Sequence, residues 1–143
     1  MKVKTAIAFI LIFSVLTMSL FSCGTRPKID DYEWHLRVAM CADEELSVLA
    51  VDESDNAHPD AKVVDVVLVA KDGKIAITDH TNDKIYEGEY KLSQMTPKGA
   101  DYQITINGVS GYATVAMTTY SDGSEEPTLP INLGEYSLYF YAD

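Results

Sequence analysis

The sequence predicts an all-β domain, an antiparallel meander of about eight strands that closes into a small barrel. Two observations point there. Apolar and polar residues alternate with a period of two along much of the chain after residue 33, the signature of half-buried strands. Asn-Gly, Asp-Gly and Pro-containing segments punctuate those runs at Asp72-Gly73, 79–83, Pro97-Lys98-Gly99, Asn107-Gly108 and Asp122-Gly123. Asn-Gly and Asp-Gly favour hairpin turns with positive φ, whose twist matches that of the flanking strands. Closure removes the exposed strand edges that an open sheet would present. The alternative is a Greek-key β-sandwich, which needs a long crossing connection. Only residues 52–62, DESDNAHPDAK, are long enough to supply one.

The first element is a leader. Lys2 and Lys4 precede an apolar run from Ala6 to Phe21, shorter than the ~20 residues a spanning helix needs. Leu20-Phe21-Ser22-Cys23 closes it and resembles the lipobox of bacterial lipoproteins, with a branched aliphatic residue at −3, a small residue at −1 and Cys at +1. The resemblance implies a signal peptide over 1–22, cleavage before Cys23, and a diacylglyceryl group on the Cys23 thiol. Residues 23–33 then form the lipidated N-terminus and a polar tether, and the β domain occupies 34–143. Gly24 lacks the Asp that retains enteric lipoproteins at the inner membrane, so by analogy the outer membrane is favoured. The absence of an acidic run directly after Cys23 leans toward a periplasmic face, with surface exposure as the alternative. A thioether at Cys23 leaves Cys41 as a lone thiol with no disulfide framework.

The strands follow in order near 34–41, 46–51, 63–70, 74–78, 84–92, 100–107, 110–120 and 128–141, the last divisible at Gly134. In the first, Trp34, Leu36, Val38 and Met40 share a face. Later faces are Tyr86-Gly88-Tyr90-Leu92, Ala100-Tyr102-Ile104-Ile106 and Tyr136-Leu138-Phe140. Residues 63–69 are apolar except at Asp65, which suggests cover on both sides. Residues 42–50 are the one short helical candidate after the leader.

Trp34 at the start of the first strand, the hairpin VVLVAKDGKIAIT, the Gly-x-Tyr strand YEGEYKL and the aromatic strand 136–141 together resemble the lipocalin-like (calycin-type) small lipoproteins of Bacteroidetes-type bacteria. The resemblance implies the barrel fold and no specific ligand. The chain departs from the lipocalin pattern at Tyr32, where those proteins carry Gly.

Charge excludes some partners. The net charge of −11 becomes −13 once a leader holding Lys2 and Lys4 is removed, which leaves no cationic footprint for nucleic acid. The lipid anchor, and not a basic surface, would reach the membrane. Catalytic chemistry finds no foothold. Gly108-Val109-Ser110-Gly111 is one residue short of a nucleophile elbow and follows a turn signal. His35, His58 and His80 lack metal-ligand spacing. A calcium loop begun at Asp52 would want Gly at position 57 and Glu at position 63, where the chain has Ala57 and Val63. No cofactor motif is present. The tyrosines are the informative feature: Trp34, Tyr86, Tyr90, Tyr102 and Tyr136 fall on inward faces and form the candidate ligand pocket. An eight-stranded barrel either fills itself with side chains or holds one small ligand. Tyr139 and Tyr141 fall outward, with Tyr112 and Tyr120 open to either side. The expected function is a membrane-anchored, non-enzymatic binding module for a small apolar or amphipathic ligand. The alternative is an interaction or inhibitor module that docks a cell-envelope partner.

Overall fold

A computed structural model describes residues 26–41, 48–50 and 62–143. The leader, Cys23, most of the helical candidate at 42–50 and the acidic segment 52–60 lie outside the described residues.

The described residues form ten strands: β1 (Trp34–Cys41), β2 (Val48–Ala50), β3 (Lys62–Val64), β4 (Val66–Lys71), β5 (Lys74–Asp79), β6 (Lys84–Thr96), β7 (Gly99–Ile106), β8 (Val109–Thr119), β9 (Glu125–Leu133) and β10 (Tyr136–Ala142). Eight close a barrel in the order β1-β10-β9-β8-β7-β6-β5-β4. Strands β4 to β10 run as an antiparallel meander, and β1 joins its two edges. It pairs along its length with β10, and through Trp34–Leu68 and His35–Val67 with β4. The sandwich is excluded. The strand expected near 46–51 is not part of the meander, because β2 pairs in parallel with β3 in a separate two-stranded sheet.

The turns follow their chemistry. Asp72-Gly73 and Asn107-Gly108 both take positive φ at both central residues (49° and 79°, 49° and 78°), the geometry of type I′ hairpins. The expected strand 63–70 breaks at Asp65. The His80 amide donates to the Asp65 carbonyl at 2.8 Å, and the Asp65 amide donates to Thr81 Oγ1 at 2.7 Å. Beyond the break Val69 is 46% exposed, so β4 is covered on one face only.

Two irregularities re-aim side chains. The β1–β10 register shifts between Leu36 and Val38. This inserts a residue and inverts the inward parity. Trp34 and Leu36 are buried as expected, but Met40 is 47% exposed and Ala39 packs on the core in its place. A second shift, between Leu92 and Gln94, accompanies 48% exposure of Leu92. In β8 the neighbouring backbone lies so close to Gly111 that a Cβ there would overlap the Asn132 carbonyl oxygen. The strand can approach that closely only without a side chain.

The core occupies the barrel half where β1 begins: Trp34, Leu68, Ile75, Val115, Leu129, Ile131 and Phe140 are essentially inaccessible. Residues 26–33 close this end. The Lys28 amide donates to Asp31 Oδ2 at 2.9 Å, and the Asp31 amide to the Lys28 carbonyl at 3.2 Å. The resulting turn drives Ile29 to complete burial. Trp34 Nε1 donates to the Ile29 carbonyl at 2.8 Å, and the Ile29 amide donates to the Tyr102 hydroxyl at 3.3 Å. Both backbone groups of a buried residue are thereby satisfied, as burial requires. The stretch expected as a free tether therefore supplies core from Pro27 and Ile29 onward.

Candidate functional site

Antiparallel order places four connections at the opposite end: the exit of β1 and entry of β4, the β5–β6 loop, the Asn107-Gly108 turn and the Gly134-Glu135 turn. A cavity of about 590 Å³ opens there. Every one of the eight barrel strands lines it, so it lies within the barrel mouth and not between surface loops. Its size falls within the roughly 300–1,000 Å³ typical of small-molecule sites.

The floor is made by the buried side chains Leu36, Ile77, Ile106 and Phe140. Val66, Leu133, Leu138 and Tyr86 form the wall, and Met40, Val109 and Tyr136 stand exposed at the rim. Among the described lining residues the polar side chains are those of Asp79, Asn107, Glu135, Tyr86 and Tyr136, with the Cys41 thiol beside them. Asp79 caps the β5–β6 loop, accepting from the Asn82 amide at 3.0 Å and from Asn82 Nδ2 at 2.8 Å. Partial burial pushes its carboxyl up. The Asn82 hydrogen bonds, the Thr81 amide and the Lys84 charge outweigh that and hold it below the usual Asp value. The carboxylate is thus ionised at neutral pH.

Of the five aromatic residues expected in the pocket, Tyr86 and Tyr136 line the cavity. The other three do not. Trp34 and Tyr102 are packed solid at the closed end, and Tyr90 stacks edge-on against Tyr102 with ring centroids 5.7 Å apart. Burial pushes the Tyr102 hydroxyl up despite the Ile29 amide it accepts from. Tyr32, at the position where lipocalins carry Gly, stands edge-on to Trp34 at 5.3 Å. The aliphatic lining had no distinguishing sequence signal, because Leu133 and Leu138 read as ordinary inward strand residues.

Elsewhere, Cys41 is a free, half-buried thiol on the cavity lining. His35 Nε2 lies 3.5 Å from Glu33 and 3.7 Å from Asp143, at the closed end. His80 sits in the β5–β6 loop, and His58 lies outside the described residues. Among the described residues no group of three His, Cys, Asp or Glu is placed to hold a metal ion. On the outer wall Glu126 carries a polar cluster. It pairs with Arg37 at 3.0 Å and accepts the Tyr120 hydroxyl at 2.8 Å, while the Arg37 guanidinium lies 4.5 Å over the Tyr141 ring. This explains why Tyr141 is outward yet half-buried; Tyr112 and Tyr120 are exposed.

The chain matches no protein-family model, no curated protein and no solved structure.

Proposed function

We propose that this chain is a membrane-anchored, non-enzymatic binding module whose barrel holds one small apolar or amphipathic ligand. The observation that carries the reading is the apolar mouth cavity to which all eight strands contribute. A barrel packed solid throughout would have had no room for a guest. The polar atoms sit around the opening while the floor is hydrocarbon, the distribution that orients an amphipathic guest with its tail inward. The anchor rests on the Leu20–Cys23 lipobox and the charged, apolar leader ahead of it. The outer membrane is its proposed address, and the lipocalin-like lipoproteins are its proposed kin.

The test is native mass spectrometry of the mature chain from residue 24, which contains the whole barrel, secreted and purified without detergent. An adduct that is lost on denaturation, and is absent from a Leu138→Trp variant that fills the cavity, supports the reading. A clean apo mass, together with no binding of aliphatic probes, removes it. That result would favour the second reading, a docking module, whose supporting observation is the exposure of Tyr112 (63%) and Tyr136 (52%).

A further inference from the structure

Among the described residues the polar groups at the mouth are not a balanced set. Asp79 and Glu135 line the opening from two different hairpins, and no Lys, Arg or His is among the described lining residues. Lys84 lies opposite Asp79 in the β5–β6 ladder, on the same face of the sheet; it is exposed, is not among the lining residues, and offsets part of the Asp79 charge. The remaining mouth groups, Asn107 and the Tyr86 and Tyr136 hydroxyls, are neutral. An anionic head brought to this opening would lose water against a rim whose two carboxylates outnumber the one nearby cation, Lys84. A cationic head would gain both carboxylates while its tail displaces water from Leu36, Ile106 and Phe140.

We propose that the cavity selects a cationic amphiphile, an aliphatic amine or ammonium, and rejects the carboxylate of the same chain length. This rests on the reading of the cavity as a ligand site. The two carboxylates come from separate hairpins, Asp79 from the end of β5 and Glu135 from the Gly134-Glu135 turn, so a head group between them is held from two sides. Among the described residues neither carboxylate forms an ion pair across the opening. Asp79 accepts from the neutral amide groups of Asn82, so its charge is offset only by Lys84, while no cation of the described lining stands beside Glu135.

The experiment titrates the mature chain with dodecylamine and with dodecanoate, each below its micelle concentration at physiological salt, following heat and Trp34 emission. The expected result is a preference for the amine of roughly tenfold, the scale of two partly screened charge contacts. Asp79→Asn with Glu135→Gln is expected to erase the preference while both probes still bind. Glu135→Gln alone leaves the Asn82 cap intact and is expected to remove about half of it on the free-energy scale. Asp72→Asn with Glu125→Gln removes the same formal charge at the closed end and is expected to leave the preference unchanged. Equal affinities for the two probes would overturn the inference and spare the ligand-site reading. So would a preference that the closed-end variant reduces as much as the mouth variant, because overall charge would then explain it. Failure of both probes to bind would overturn both.

Discussion

Trp34 and Ile29 are bound to each other through the indole N–H and a main-chain carbonyl 2.8 Å away, at a point where both side chains are wholly buried. The pair joins the segment ahead of β1 to the floor of the barrel. Truncating Ile29→Ala leaves a cavity beneath the chain's single tryptophan. Loss of a buried aliphatic side chain of this size costs about 2–5 kcal/mol, a large share of an ordinary domain's stability. Urea denaturation is expected to show that loss. Trp34 emission in the native state is expected to shift to the red as water reaches the ring.

Gly111 makes a second, sharper demand. A methyl group at this position has no room against the Asn132 carbonyl, so Gly111→Ala must push β8 and β9 apart. The expected penalty is about 1–3 kcal/mol, the usual scale for overpacking. Gly123 is the useful contrast: nothing lies within 4 Å of a Cβ there, although its φ of 83° carries its own strain. Thermal melts of the two alanine variants separate crowding from backbone strain.

The outer cluster has a pH signature. The Tyr120 hydroxyl donates to Glu126, and that bond, with some burial and the Glu126 charge, pushes its pKa up to about 12 despite the opposing pull of Arg37. A group raised in the folded state stabilises the fold fully below its unfolded value, about 10 for tyrosine. That contribution fades as pH rises from there through the folded value. Ultraviolet titration at 295 nm is expected to show Tyr120 ionising late despite its exposure, alongside the buried Tyr102. In Glu126→Ala that late step is expected to move toward 10.

Cys41 offers a direct probe of the mouth. It is a free thiol, half-buried on the cavity lining. Modification with a bulky maleimide is expected to block binding of an aliphatic ligand at least tenfold, while bound ligand slows the modification in return. Mass spectrometry of the labelled protein, taken over time with and without ligand, reads both effects.

Periodicity made the inward faces of β7 and most of β10 readable, because a period of two reports which side of a sheet a residue faces. It also carried the turns at Asp72-Gly73 and Asn107-Gly108, where the residue types themselves demand the geometry. It reports nothing about height along the barrel axis. Tyr86 and Tyr90 share a face of β6, yet one lines the cavity and the other stacks on Tyr102 near the plug. Height depends on strand stagger, which no single strand encodes. The parity inversion at Leu36–Val38 was hidden for a similar reason: Val38, Ala39 and Met40 can all face a core, so WHLRVAMC fits either register. Pro27 and Ile29 were obscured by their charged neighbours, since two buried residues among Arg26, Lys28, Asp30 and Asp31 make no periodic pattern.

The plug at residues 26–33 also gives the barrel a handle. Arg26, the first described residue, belongs to the segment at the base of the cup, at the end opposite its opening. Two residues, Gly24 and Thr25, separate Cys23 from Arg26, and the three Cα steps between them reach at most about 11 Å when fully extended. A barrel moored through Cys23 would therefore stand on its base with its mouth facing outward. Cargo would arrive from the aqueous side or from a facing surface, and the bilayer holding the anchor would lie behind the sealed end.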